Sequence, residues 1–213
     1  MHYNTVNNLL KDTLLQLMQS EVFNDFRLVG GTALSLQIGH RISIDLDFFT
    51  DIDYGTVDFE KIEKHLEETF PYTNHLRIPV AIGKSYHIGT DKDNYVKLDV
   101  FYTDPFIQPI VEVDTIRMAS IEEIIAMKIE VVQNLGRKKD FWDLHELLFT
   151  HNYSVAQMLE LHEKRYPWTH DRTLILKNFT DFNQADEDFD PDCMQQKNWD
   201  LIKTDITNAV KNR

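Results

Sequence analysis

Cysteine is almost missing from this 213-residue chain: Cys193 stands alone, which excludes an internal disulfide and a multi-cysteine metal site. No apolar run approaches the ~20 residues that cross a bilayer. The opening Met1-His2-Tyr3-Asn4 lacks the basic start and apolar stretch of a secretion signal. A cytoplasmic protein with no membrane partner is therefore expected. Basic residues are also scarce. Against 35 Asp and Glu there are 22 Lys and Arg, a formal net charge of −13. That excludes broad, non-specific nucleic-acid binding while leaving room for one basic patch on an acidic body. Part of the acidic excess is concentrated in residues 181–192, which read as a solvated loop. The nine histidines form no His-Glu-x-x-His pattern, so zinc chemistry has no support. Internal repeats, low-complexity tracts and Gly/Ser linkers are missing as well.

What is present is organised around residues 30–49. Gly30-Gly31 opens a short segment of helical character, Gly39-His40 turns the chain, and an extended run then carries Asp45 and Asp47. Strand side chains alternate, so the two carboxylates share one face with Ser43 while Leu46 and Phe48 take the other. Paired carboxylates repel each other, and a divalent cation removes that cost. Mg²⁺, or Mn²⁺ in its place, uses one or two carboxylates together with waters and substrate phosphates. Glycines let a backbone approach phosphate oxygens, and the N-terminus of a helix over Thr32–Gln37 offers N–H groups and positive dipole to an anion. The arrangement suits an enzyme that handles a nucleoside triphosphate (NTP).

Around this block the pattern predicts a helix over 5–20, a strand over 26–29, the carboxylate strand over 44–50 and a helix over 57–70. Strands follow over 76–82, 85–89, 95–102 and 107–116, with a turn at Asp91–Asn94. From Ser120 on, only helices are expected: 121–135, opened by a Ser120/Glu123 capping box, then 139–150, 154–166, 171–178 and 193–210. The fold class is α+β, with a mixed sheet and flanking helices in residues 1–118 and a helical region in 119–213 that completes the active-site cleft.

Lys128 sits where the 121–135 helix is otherwise apolar, with Ile121, Ile124, Ile125, Val131, Val132 and Leu135 at helical spacing around it. A buried ammonium needs negative charge. Either Lys128 snorkels to the edge of the core or it reaches a cleft near Asp45 and Asp99 or a bound triphosphate. On the second reading, Lys128→Met is expected to cost little stability. Asp143, beside Trp142 and Leu144, is turned inward to orient Lys128 or contact the nucleotide, whereas Asp140 reads as a helix N-terminal charge. Arg41 pairs with a carboxylate or neutralises phosphate, and Ser43 touches phosphate or a metal-bound water. Arg137-Lys138-Lys139 is the densest basic cluster, solvated or facing triphosphate or RNA.

The string Gly-Gly-Thr-Ala-Leu followed by Arg41-Ile-Ser43-Ile-Asp45-Leu-Asp47-Phe48 resembles the AbiEii/AbiGii toxin family of the polymerase-β-like nucleotidyltransferase superfamily. Ala126-Met127-Lys128, Arg137 and Lys139-Asp140…Asp143-Leu144 resemble its second block. The resemblance implies that Asp99, in Leu98-Asp99-Val100, is the third carboxylate, completing the metal site with Asp45 and Asp47 and serving as general base. It implies that Gly30, Gly31 and Thr32 hold phosphates and that Lys128 stabilises charge as pyrophosphate leaves. The implied activity is Mg²⁺-dependent transfer of a nucleoside monophosphate from an NTP to an acceptor hydroxyl. A tRNA or other RNA is the candidate acceptor, and a separate antitoxin the candidate partner. A non-catalytic NTP-binding or complex-forming module, or a transferase acting on a protein or small molecule, shares the same motifs.

Overall fold

Leu46, Phe48 and Thr50 alternate with Asp45, Asp47 and Phe49 in strand β2 (Asp45–Thr50), and the first set is fully buried. Strand β5 (Asn94–Tyr102) repeats the alternation with Val96, Leu98 and Val100 inside. The two strands run parallel, and each polar residue of one meets a polar or aromatic residue of the other: Asp45 with Lys97, Asp47 with Asp99, Phe49 with Phe101. One face of this pair is thus core, and the other carries charge at its start and the Phe49–Phe101 ring pair at its end.

A computed structural model describes residues 1–76 and 82–212. Its seven-stranded mixed sheet has the order β3-β4-β5-β2-β1-β7-β6. Strands β1 (Arg27–Val29), β3 (Tyr72–Leu76), β4 (Gly83–Asp91), β6 (Val111–Val113) and β7 (Ile116–Met118) complete it. Helix α1 (Asn8–Met18) starts where the Asn7 side chain accepts from Leu10 N–H, and it buries Leu10, Leu14 and Leu17. Helix α2 (Gly30–Ile38) follows β1 without a loop, and helix α3 (Phe59–Thr69) precedes β3. Beyond Met118 the described chain is helical: α4 (Ile121–Gln133), α5 (Lys138–Phe149), α6 (Val155–Arg165), α7 (Arg172–Asn178), α8 (Asn183–Asp186) and α9 (Trp199–Lys211). One buried apolar cluster runs through both halves, from Leu10 and Phe48 to Ile124, Leu144 and Ile206. Among the described residues no helix is long and apolar enough to cross a membrane.

This is the expected α+β class, with local departures. The strand expected over 107–116 is a hairpin, because Asp114 and Thr115 adopt left-handed conformations (φ 53° and 70°) and turn β6 back onto β7. The strand expected over 76–82 falls mostly on residues 77–81, outside the described residues, and β3 lies before it. The last helix starts at Trp199 rather than 193. Residues 192–194 instead form an extended strap against residues 40–42. Ile42 N–H donates to Asp192 O (2.8 Å) and Met194 N–H to His40 O (3.0 Å). The acidic segment feeding that strap is not simply solvated: Asp188 accepts from Lys138 N–H at the start of α5, and Asp190 pairs with Lys138 Nζ at 3.0 Å.

Candidate active site

The glycine pair is the joint between β1 and α2, and each glycine makes room for one charged side chain. Gly30 has φ +68°, and a Cβ there would lie 2.4 Å from Asp47 Oδ2. A Cβ on Gly31 would lie 2.3 Å from Arg41 Nη2. The glycines therefore admit the protein's own carboxylate and guanidinium, in addition to leaving the first turn of α2 bare on the cleft wall.

Asp45, Asp47 and Asp99 share one sheet face, as β2–β5 register requires. Burial, then Asp99 and Asp45, push the Asp47 carboxyl up to about 6. Burial is the larger cause and the neighbouring carboxylates add to it, while Lys139 and Lys128 pull the other way. Asp99 is held by Lys97 Nζ (2.5 Å) and by the Ser85 hydroxyl. Asp45 stands 3.9 Å from Lys139 Nζ. Among the described residues no group of three or more His, Cys, Asp or Glu is placed to hold a metal ion, the set of Asp45, Asp47 and Asp99 included. Mg²⁺ does not require one: an all-oxygen pair with room for water and phosphate suits it, and Asp45 with Asp47 is such a pair.

Thr32 and Ser43 are both buried and lie off the cleft wall. The Thr32 hydroxyl is 2.8 Å from that of Ser43 and also donates to the Asp45 carbonyl. Where the sequence suggested phosphate contacts, these hydroxyls instead pin the start of the carboxylate strand.

Lys128 is buried, and its ammonium does not approach Asp99. It lies 2.7 Å from Asp140 Oδ1 and 2.6 Å from Asp143 Oδ2. Asp143 is fully buried and also accepts from Arg41 Nε (2.6 Å) and Nη2 (2.9 Å), with His40 Nε2 at 2.7 Å. Asp140, read from sequence as a helix N-terminal charge, sits in the first turn of α5 as expected and is buried there. Its second oxygen accepts from Arg137 N–H while the first serves Lys128. Burial raises the cost of charge on Asp143, but Arg41 and Lys128 outweigh it and hold its pKa well below the usual range. Sequence reasoning missed His40, and it missed that Asp140 also pairs with Lys128. The signal for this pairing was a charged residue predicted on an apolar stripe, which required buried negative partners.

These elements enclose a cleft of about 250 Å³. Its polar lining includes Gly30, Gly31, Asp47, Lys128, Arg137 and Lys139, and its apolar lining Phe49, Met127, Val131 and Tyr166. A profile of the nucleotidyl transferase AbiEii toxin family, a type IV toxin–antitoxin system, matches residues 12–212. The chain belongs to the AbiEii nucleotidyltransferase toxin family. As a member it is a nucleotidyltransferase. An uncharacterised protein of Aquifex aeolicus is 27% identical over 210 residues, 94% of each chain. The fold matches the nucleotidyltransferase toxin MenT4 of Mycobacterium tuberculosis (TM-score 0.61, 17% identity, 94% of this chain and 80% of that one). It also matches a putative nucleotidyltransferase of Helicobacter pylori (TM-score 0.57, 20% identity, 94% and 92%). In this AbiEii-family chain, cleft and carboxylate face meet at the Gly30–Asp47 contact.

Proposed function

We propose that the chain transfers a nucleoside monophosphate from an NTP to a hydroxyl of an RNA acceptor, with tRNA the leading candidate, in a Mg²⁺-dependent reaction. The carrying observation is the gathering of Asp45, Asp47 and Asp99 on one face of two adjacent parallel strands, against the glycine joint that opens onto the cleft. Asp45 and Asp47 would hold Mg²⁺, which when bound supplies charge neutralisation at the phosphates and a lower barrier for the attacking oxygen. Residues 1–118 act as the core that carries the carboxylates, and 119–213 as the region that completes the cleft through α4 and α5.

The first turn of α2, starting at Gly30 and Gly31, offers its backbone N–H groups to the triphosphate. Lys139, half-exposed and beside Asp45, and Arg137, exposed at the rim, are the cations that face the phosphates as pyrophosphate departs. Lys128 and Arg41 already meet Asp140 and Asp143, so they set the electrostatic floor of the cleft rather than add free positive charge. Asp99 receives the acceptor's proton once Lys97 or Ser85 gives way. A separate antitoxin would restrain this activity in the cell.

The test is incubation with each labelled NTP, Mg²⁺ and either total RNA or total protein. Label entering the RNA fraction, and lost in Asp47→Asn, is expected. Label in protein alone would replace the RNA acceptor with a protein hydroxyl, and no label in any fraction would overturn the transfer reaction.

A further inference from the structure

Helix α4 crosses the cleft, and its exposed edge is graded in charge. With Ile124 at the origin and 3.6 residues per turn, Lys128 lies about 40° to one side, while Val131, Met127 and Glu130 lie about 20°, 60° and 120° to the other. Lys128 marks the edge beside the glycine joint. Glu130 marks the opposite edge, beyond an apolar strip of Met127 and Val131 and next to Tyr166. A triphosphate seated at the glycine end therefore places its base on that strip, with Glu130 at the far side.

Glu130 is built into its place by donors. Its Oε2 lies 2.8 Å from His162 Nε2, and its Oε1 accepts from Asn134 Nδ2 at 3.1 Å. His162 is fully buried, packs on the Tyr166 ring at 5.1 Å, and has Nδ1 only 2.8 Å from His170 Nδ1. One assignment of hydrogens satisfies all of these contacts. The ring nitrogen facing a carboxylate carries its proton, so the neutral His162 ring presents a bare Nδ1, and His170 Nδ1–H donates to it. The relay ends on Glu130 with every protein partner donating. An ionised carboxylate can only accept, so its remaining lone pairs accept from a ligand and offer no hydrogen to a ligand's carbonyl. None of the groups proposed for transfer needs this arrangement.

We propose that Glu130 reads the base of the bound nucleotide, accepting a hydrogen bond from an exocyclic amine and so favouring adenine, cytosine or guanine over uracil. Uracil has carbonyl oxygens at both exocyclic positions. Its one N–H on that edge lies between them, where a carboxylate meets two like partial charges. The discrimination expected from one hydrogen bond to a charged group is roughly tenfold to a hundredfold in affinity. The inference rests on the nucleotidyl-transfer reading for the presence of an NTP in this cleft, but concerns a different residue set.

Equilibrium binding of ATP, CTP, GTP and UTP to the intact protein, with Mg²⁺ and no acceptor, tests it without requiring turnover. In the unmodified protein UTP should bind at least about tenfold more weakly than each amine-bearing nucleotide. In Glu130→Gln, whose amide can donate as well as accept, the gap should close to about twofold, with far-ultraviolet circular dichroism confirming the fold. His170→Phe, which removes the hydrogen that fixes His162, should narrow the gap partway. UTP binding as tightly as any of the other three overturns the base-reading role, and so does an unchanged UTP gap in a folded Glu130→Gln. Failure of all four nucleotides to bind overturns the nucleotidyl-transfer reading along with it.

Discussion

Replacing Asp143 by asparagine deletes one negative charge, at nearly constant volume, from a point where four nitrogens converge. Arg41 Nε and Nη2 lie at 2.6 and 2.9 Å, Lys128 Nζ at 2.6 Å and His40 Nε2 at 2.7 Å. Removing one partner of a buried ion pair costs about 3–5 kcal/mol, because the other charge is left uncompensated. Here Arg41 loses its paired contact, while Lys128 keeps Asp140 at 2.7 Å. A cost near the middle of that range, ~4 kcal/mol, is expected. For a chain of this size each kcal/mol moves the melting temperature by about 2–4 °C, so the drop should be roughly 8–16 °C. Because the Asp143 pKa is held below the ordinary value of 3.8, its contribution is complete above that value and is lost as pH falls through the folded one. Thermal melts followed by circular dichroism should show the full difference at pH 7 and a shrinking difference below about pH 4. Lys128→Met should also be costly, contrary to the tolerance its apolar neighbours suggest, since it removes the buried cation that Asp140 and Asp143 share, leaving Asp143 to Arg41 and His40 and Asp140 to Arg137. The double variant should cost less than the sum of the singles, because both changes break one contact. A melting temperature for Asp143→Asn within about 2 °C of the parent at pH 7 would refute the charge-network argument.

Asp47→Asn should abolish transfer and yet raise the metal-free melting temperature at pH 7.5. The folded pKa of about 6 lies above the unfolded value, so the ionised group destabilises the fold once pH exceeds both. That penalty is on the order of 3 kcal/mol, and an active variant would sink the metal-site assignment. Gly31→Ala should push Arg41 off Asp143 and cost about 2 kcal/mol, read from a urea midpoint; an unchanged midpoint would show that the glycine does not serve the Arg41 approach. Thr32→Val should cost about 1–2 kcal/mol by leaving the Asp45 carbonyl without its donor. Its kcat should fall more than its KM rises, and parental kinetics would separate the Thr32 hydroxyl from the carboxylates.

The carboxylate strand was legible because period-two alternation fixes which residues share a face, and Asp45, Asp47 and Asp99 obey it. Lys128 was legible as an anomaly, a charge among isoleucines and valines. Spacing revealed that it needed negative partners but could not say which. The choice between the sheet carboxylates and Asp140 with Asp143 depends on how α5 packs against α4, a tertiary fact with no local signature. Asp140 is the helix-start charge the pattern suggests, accepting from Arg137 N–H, but its pairing with Lys128 was not legible. One of its oxygens does what the pattern suggests, while the other serves Lys128. The strap at 192–194 was invisible for a different reason: three residues pairing mainly through their backbone leave no periodicity, and the acidic composition before them resembles ordinary solvated chain.

That strap also sets an order of events in time. His40 and Cys193 are 153 positions apart in the chain, yet their segments share backbone hydrogen bonds at the approach to the carboxylate strand. A chain leaving the ribosome N-terminus first displays the glycine joint and all three sheet carboxylates long before residues 192–194 exist to brace Arg41. Through the same interval Lys138 lacks Asp188 and Asp190. Closing so distant a contact is slow relative to local helix and hairpin formation, so the brace behind Arg41 is among the later parts of the site to set. For a protein from a toxin family, this is a delay between synthesis and a fully braced active site, written into chain order.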